Sequence, residues 1–489
     1  MNKIMKIVAL VLVWCSFAVT LSACTIDQSE GGGDVVLTWY FPANETDEDA
    51  EVYAAANEII KKKLGVTVDF QPINNGDYNQ KMQLKTSASE KFDLCFTANW
   101  GFIYKTNADK GAFLALDELI DQYAPKTKEL IPDNIWAGTK LNGEIYAVPN
   151  YQTETMHRCF LFNKELVDKY GLKEKIDAAT SVADFTEILQ VIKDNEPNVY
   201  PSETSPIVAT WEEEDFIEEP ISSSIPVGVD MDLNVLDLRE GRYREWRLQM
   251  EELSKDWNKR GFYSPDVAIT SNTESERKAG KYFMIKDTFK PGIEADMAER
   301  YGYEMYAKPL GDAYISNSTI QAALTAISRT SAHPDKAMEV LELINTDKDL
   351  LNTLVFGIEG KQYTKTGENA IERNAESEYS GVAWCFGNQF LAYTLPGQEA
   401  DVWEQTEKNN EEAFVAPLTG FMINEEPIKT EISNIKTTIK PYSTSLNFGL
   451  VDNNLEIHQQ QDQEIDKDMQ TILAEVKKQI EEFKRSKAE

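Results

Sequence analysis

Between Val35 and Phe96 the apolar residues switch repeatedly between strand spacing and helix spacing, and this rhythm narrows the fold sharply. Val35-Val-Leu-Thr-Trp-Tyr-Phe41 is a nearly continuous apolar and β-branched run, the pattern of a buried strand. Thr46-Asp-Glu-Asp49 then has the spacing of a capping box. Val52, Ala56, Ile59, Ile60 and Leu64 follow at helical intervals up to a stop at Gly65. Val66-Thr-Val-Asp-Phe70 alternates as a strand does, a second helix is predicted from near Asp77, and Phe92 to Phe96 makes a third strand. Strand, helix, strand, helix, strand in that order predicts an α/β fold with a parallel sheet covered by helices on both faces.

The alternation continues along the chain. Ser181-Val-Ala-Asp184 caps a helix carrying Phe185, Ile188, Leu189 and Ile192, and Trp246, Met250, Leu253 and Trp257 share one face of another. Pro334 opens a helix with Ala337, Val340, Leu341 and Ile344 inward. From about Leu455, the series Ile465, Met469, Ile472, Leu473, Val476, Ile480 and Phe483 gives a long C-terminal helix. Its heptads are too few for a coiled coil, so it should pack on the body. The length of 489 residues suits two or three domain-sized units without disulfide support. A formal net charge of −33 repels nucleic-acid phosphates and anionic lipid head groups, which excludes both as partners.

Residues 1–24 have a different character. Lys3 and Lys6 give a basic start, and the apolar run Ile7 to Val19 is shorter than the roughly 20 residues that cross a bilayer. Leu21-Ser-Ala-Cys24 supplies a small-residue cleavage site, so the segment reads as a secretory signal. That site resembles the lipobox of bacterial lipoproteins, which implies removal of residues 1–23 and diacylation of Cys24. Residues 24–33 are small, polar and glycine-rich, a flexible tether. Cys95, Cys159 and Cys385 remain; three cannot form a disulfide framework, and no Cys-x-x-Cys exists.

Catalytic signatures are mostly absent. His157, His333 and His458 are never paired at metal-ligand spacing. His333 reads as a helix-cap residue, His157 as buried or lining a cleft, and His458 as solvated. Gly357-Ile-Glu-Gly-Lys361 lacks phosphate-loop spacing, and Asp230-Met-Asp-Leu-Asn234 lacks the glycine and distal acid of a calcium loop. No cofactor, metal or catalytic residue is therefore predicted. The acids Glu212 to Asp215 with Glu218 and Glu219 leave a glycosidase as the alternative, since that chemistry needs only two separated carboxylates. Aromatic and amide residues are more suggestive. Trp39-Tyr-Phe41 closes the first strand and Phe96-Thr-Ala-Asn-Trp100 the third, at the carboxyl ends that face the crevice of a parallel sheet. Tyr40 and Trp100 could stack on sugar faces while Asn99 bonds hydroxyls. Trp211 and Trp384 repeat the combination, although any one of these rings could instead be core.

Several stretches together resemble a family 1 extracellular solute-binding protein, the receptor component of bacterial ABC importers for carbohydrates. They are Leu37 to Phe41, Gly111-Ala-Phe-Leu-Ala-Leu-Asp-Glu-Leu-Ile120, Leu141-Asn-Gly-Glu-Ile-Tyr-Ala-Val-Pro149, Phe162-Asn-Lys-Glu-Leu-Val167, Ala332-His-Pro-Asp-Lys-Ala337 and Phe356 to Tyr363. The end from about Phe414 is similar to a Gram-positive lipoprotein subgroup with a distinctive C-terminal region. The resemblance implies two α/β lobes of the periplasmic-binding-protein type, with a ligand cleft that closes by hinge motion. Crossings are expected near Val148–Thr153, near Pro309–Ser318 and between about Phe356 and Ser380. The first lobe would combine 34–150 with 315–360, and the second 151–314 with 361–489. Ligand residues would be Tyr40, Asn99, Trp100, Gln152, Trp211 and Trp384, with Trp100 and Trp384 contributed by different lobes. The implied partners are a carbohydrate, importer permease subunits and, through the lipid alone, the membrane. The protein would be a non-enzymatic monomer on the outer face of the cell membrane. Peptide ligands, or an adhesion or folding-assistance role, remain open.

Overall fold

The computed structural model describes residues 35–208, 216–222, 224–270 and 273–488. The leader, Cys24, the tether, Trp211 and Glu212 to Asp215 lie outside the described residues. The first apolar run forms β1 (Val35–Pro42), followed by α1 (Asp49–Leu64), β2 (Val66–Ile73), α2 (Asn75–Ser87), β3 (Leu94–Thr97) and, after several short helices, β4 (Val148–Pro149). Element boundaries have local causes. Asp49 and Glu51 open α1 and three lysines close it, matching the helix dipole, and Gly65 ends it at a left-handed φ of 69°. Asn74 caps α2 by accepting from Gly76 N. The capping box expected at Thr46 does not form: its Oγ1 donates to Asp49 Oδ1 at 2.6 Å instead of accepting from backbone.

The chain then builds β5 (Arg158–Asn163), α3 (Thr186–Asn195), β6 (Tyr200–Ser202), β7 (Ile217–Glu218), β8 (Val227–Asp230), β9 (Val235–Asp237), α4 (Gly241–Lys259), β10 (Tyr282–Thr288), α5 (Ile293–Tyr301) and β11 (Met305–Pro309). A four-stranded sheet runs in the order β11-β5-β10-β6, with β5 antiparallel to both neighbours and β6 parallel to β10. Its two faces read off the period of two in β5. Phe160 and Phe162 join Phe185, Ile188, Ile192 and Trp257 on one side, while Cys159 and Leu161 join Ile285 and Met297 on the other. Strands β7, β8 and β9 form a separate antiparallel sheet.

The return path supplies β12 (Tyr314–Ile315), α6 (Asn317–Ile320), β13 (Leu324–Ile327), α7 (Pro334–Thr346) and α8 (Lys348–Phe356). Strand β13 enters antiparallel between β3 and β4, giving a mixed sheet in the order β2-β1-β3-β13-β4 rather than a parallel one. A strand that arrives from another lobe needs no crossover helix, so nothing holds it parallel.

The segment after α8 also departs from expectation. Lys361 and Gln362 bond to Glu51 of α1, Ser377 and Tyr379 N bond to Glu48, and Tyr379 OH donates to Leu354 O at 2.7 Å. A Cβ at Gly381 would lie 2.4 Å from Val355 O, and one at Gly387 2.6 Å from Ile344 O, so only glycine permits this approach to α7 and α8. Residues 361 to about 394 thus pack on the first sheet's helices. The third crossing comes later, where Gln398 Nε2 donates to Asp296 Oδ1 at 2.7 Å. It is followed by α9 (Val402–Glu412) and β14 (Phe414–Val415), which pairs with β12.

Two helices end the chain, α10 (Lys429–Asn447) and α11 (Asn454–Ala488). The stripe Ile465, Met469, Ile472, Leu473, Val476 and Ile480 is buried against Val227, Val229, Ile432 and Ile435. His458 is not solvated; its Nε2 lies 2.9 Å from Glu251 Oε1 in α4. Burial opposes ionisation of Glu251, but His458 and Arg247 outweigh it and hold the carboxyl below its ordinary range. Cys95, Cys159 and Cys385 are free and buried, and burial pushes the Cys159 thiol up to about 12. Because Met469 is fully buried, Met469→Ala should cost about 2–5 kcal/mol in denaturant unfolding. Gln460→Ala on the exposed face of the same helix should cost under about 0.5 kcal/mol. Equal effects would mean the helix is not docked as described.

Candidate functional site

The site grows from the loop that closes β3. Thr97 Oγ1 donates to Phe102 O at 2.6 Å, Ala98 N to Gly101 O at 3.0 Å and Phe102 N to Asn79 Oδ1, so the turn is pinned at both ends. Phe102 adopts φ 44°, a left-handed conformation that costs a bulky residue about 1–3 kcal/mol. The turn drives Trp100 outward: it is 57% exposed, with its Nε1 donating to Ala322 O at 2.8 Å.

Trp384 forms the adjoining wall, on the short turn Ala383–Cys385. The two indoles lie 5.8 Å apart at 55°, and both rest on Phe96, at 5.7 Å for Trp100 and 5.1 Å for Trp384. Gln152 Nε2 donates to Asn150 O at 3.2 Å and Trp384 O at 3.4 Å. A cavity of 240 Å³ opens among Trp100, Gln152, Thr153, Glu154, Thr319, Ala322, Ala323 and Trp384. Rings beside directional polar groups suit a ligand with apolar faces and hydroxyl edges.

Three residues singled out in the sequence, Trp100, Gln152 and Trp384, line this one cavity. Asn99 is adjacent but occupied, its Nδ2 donating to Ser318 O at 2.7 Å and Ser318 Oγ at 3.0 Å, so it fastens the Trp100 turn to α6. Tyr40 does not reach the cavity. It is 9% exposed, with Lys85 Nζ 4.4 Å above its ring and the edge of Phe92 at 5.7 Å. Trp39 and Phe41 point to the opposite face, where both meet Phe386. Both sides of β1 are covered, so Tyr40 is core. Trp384 also differs from expectation: it sits on the first sheet beside Trp100, because the segment carrying it packs on α7 and α8. Trp211 lies outside the described residues.

Glu154 and Thr319 were not singled out. Glu154 is 2% exposed and burial pushes its carboxyl well above the ordinary carboxylate range. Its position two residues after Gln152 in an expected crossing was the available signal, lost among 82 acidic residues. Helix α9 fixes this stretch. Asn410 Nδ2 donates to Gln152 O at 2.7 Å and its Oδ1 accepts from Glu154 N at 2.9 Å, while Asn409 Nδ2 donates to Thr155 Oγ1 at 3.0 Å.

Other features do not compete. A larger cavity of 510 Å³ is lined by Lys164, Glu294, Glu299, Glu304, Glu372 and Arg373 among others, with no aromatic platform. Burial pushes Glu218 and Glu219 each up to about 7, yet Glu218 accepts from Leu418 N at 2.9 Å and neither lines the Trp100 cavity. The Asp230 carboxylate is consumed by Asp232 N and by Asn234 N and Nδ2. No group of three metal-ligating side chains occurs among the described residues.

Comparison with known proteins places this geometry. Residues 42–350 match the family model for the bacterial extracellular solute-binding protein, and residues 417–485 match a domain of unknown function, DUF3502. A carbohydrate ABC transporter substrate-binding protein of Streptococcus pneumoniae serotype 4 is 29% identical over 468 residues, 94% of this chain and 93% of that relative. The N-glycan transport solute-binding protein NgtS from Streptococcus pneumoniae superimposes with a TM-score of 0.81 at 27% identity, covering 92% of this chain and 99% of that one. In complex with Man5GlcNAc it gives 0.72 at 29% identity, covering 93% and 99%. In complex with Man1GlcNAc it gives 0.75 at 28% identity, covering 92% and 99%. With the family match running over more than half of its length, this two-lobed α/β chain belongs to the bacterial extracellular solute-binding protein family.

Proposed function

We propose that the protein is the substrate-binding component of an ABC importer, capturing an uncharged oligosaccharide against Trp100 and Trp384 and presenting it to membrane permeases. The observation that carries this reading is the exposed indole of Trp100, held outward by a strained turn and joined by Trp384 over a cavity with polar walls. Burying apolar surface favours hiding such a ring, so a pinned, exposed tryptophan favours a ligand that covers it. The cavity is smaller than the roughly 300–1,000 Å³ that encloses a drug-sized ligand. It therefore suits one sugar ring, with the rest of the chain lying along the open cleft. The glycan complexes of NgtS support the substrate class.

A hydrolase has less support. Glu154 is the one acid among the cavity's described walls, and glycoside cleavage needs a pair. Leu21-Ser-Ala-Cys24 supports a lipid anchor on the outer face of the membrane.

Titrating Man5GlcNAc, Man1GlcNAc and other neutral oligosaccharides into the protein tests the reading, with saturable binding and an unchanged ligand as the expected result. Trp100→Ala should weaken that binding by about 2 kcal/mol, roughly 30-fold, as loss of an aromatic anchor does. Its unfolding midpoint should barely move, because the ring is exposed. Normal affinity would remove Trp100 from the site, and cleavage of the glycan would establish the hydrolase. Cys24→Ala should shift the protein from the membrane fraction to the soluble one, since each buried acyl methylene contributes about 0.8 kcal/mol of retention. A wild-type chain already soluble would contradict the anchor.

A further inference from the structure

We propose that Glu154 is a specificity-determining residue of the cavity, a neutral carboxyl that donates a hydrogen bond to an oxygen of an uncharged sugar. The inference rests on the carbohydrate reading above and adds to it the residue that reads the ligand.

Glu154 combines two properties seldom found together. It is 2% exposed, and it forms part of the cavity wall between Gln152 and Thr319. Its carboxylate has a single hydrogen-bond partner among the described residues, Gln152 N at 3.3 Å from Oε1. A buried carboxyl with so little internal satisfaction costs free energy unless something else completes it. Neighbouring donors are spent. Gln152 Nε2 serves Asn150 O and Trp384 O, and the Asn410 amide serves the backbone of Gln152 and Glu154. Those Asn410 bonds also hold the backbone on either side, so the side chain cannot be swung away by a local shift of the crossing.

The charged surroundings favour the neutral acid. No lysine, arginine or histidine lines the cavity among the described residues. Helix α6 contributes Thr319, the turn Ala383–Cys385 contributes Trp384, and the residues just before β13 contribute Ala322 and Ala323, none of them titratable. The charges that act on the neighbouring Tyr151 come from Glu154 itself and from Glu407 and Glu411 on α9, all acidic. Burial pushes the Glu154 carboxyl well above its ordinary range. A protonated carboxyl is a donor with one remaining acceptor oxygen, which complements a sugar hydroxyl or the carbonyl of an acetamido group.

The sign of the pH dependence follows. A ligand that accepts the Glu154 proton binds the neutral form and raises the carboxyl's pKa further. Affinity is then full below the free protein's pKa and falls as pH rises through it. A cationic ligand would bind the ionised form, and its affinity would rise with pH.

Isothermal titration of the full protein with Man5GlcNAc, which carries no titratable group, between about pH 5 and about pH 9 reads this directly. For the wild type, affinity should fall at least tenfold across that range. The amide of Glu154→Gln cannot ionise, so its affinity should not change with pH. Glu154→Ala should lose at least tenfold at the acid end. An affinity that rises with pH overturns the inference, as does an unaltered pH profile in Glu154→Gln. Failure of the wild type to bind Man5GlcNAc or any neutral oligosaccharide at any pH would refute the carbohydrate reading, and this inference with it. Binding with the wrong profile refutes the inference alone.

Discussion

Both lobes depend on backbone pairing among the three stretches of chain that pass between them. Met156 and Tyr314 exchange hydrogen bonds at 2.8 and 3.0 Å, and Tyr314–Ile315 pairs in parallel with Phe414–Val415. The Asn410 amide then ties α9 to the first stretch at Gln152 and Glu154. The first sheet is assembled from segments far apart in sequence, since its strand β13 returns between β3 and β4. The same stretch carries Gln152 and Glu154 into the cavity wall. Any rotation of one lobe against the other must therefore pass through backbone that also touches the ligand position, which couples occupancy to lobe geometry.

Local pattern revealed some of this architecture and hid the rest for identifiable reasons. The run from Val35 to Phe41 was readable because a strand covered on both faces leaves a continuous apolar stretch, and the stripe from Ile465 to Ile480 because one-sided burial imposes a period of 3.6. The orientation of β13 was not, because period alone does not tell a strand's direction. Placement of 361–394 failed for a similar reason: its contacts to Glu48 and Glu51 join residues hundreds of positions apart. His458 read as solvated because its partner, Glu251, lies on a distant helix that the C-terminal region covers.

Aromatic residues at strand ends marked the neighbourhood of the Trp100 cavity without separating core from surface. Trp100 and Tyr40 carry the same sequence signal. What distinguishes them is that Tyr40 lies inside β1 beneath Lys85, whereas Trp100 lies beyond β3 on a turn pinned by Thr97, Asn79 and Phe102. The net charge of −33 was equally uninformative about recognition. Surface carboxylates are solvated and screened, while the one acid among the cavity's described walls is buried and held toward its neutral form. On the proposed reading, selection by this cavity runs through ring stacking and neutral hydrogen bonds rather than through the field of the whole molecule.

On the proposed reading, a glycan held at the Trp100 cavity draws the two lobes together. Small-angle X-ray scattering of the protein alone and saturated with a neutral oligosaccharide it binds tests this most directly. The account predicts a smaller radius of gyration in the saturated sample, with Trp100→Ala needing more glycan to reach it. An unchanged radius at saturation would contradict it and leave a rigid pocket in place of a closing cleft.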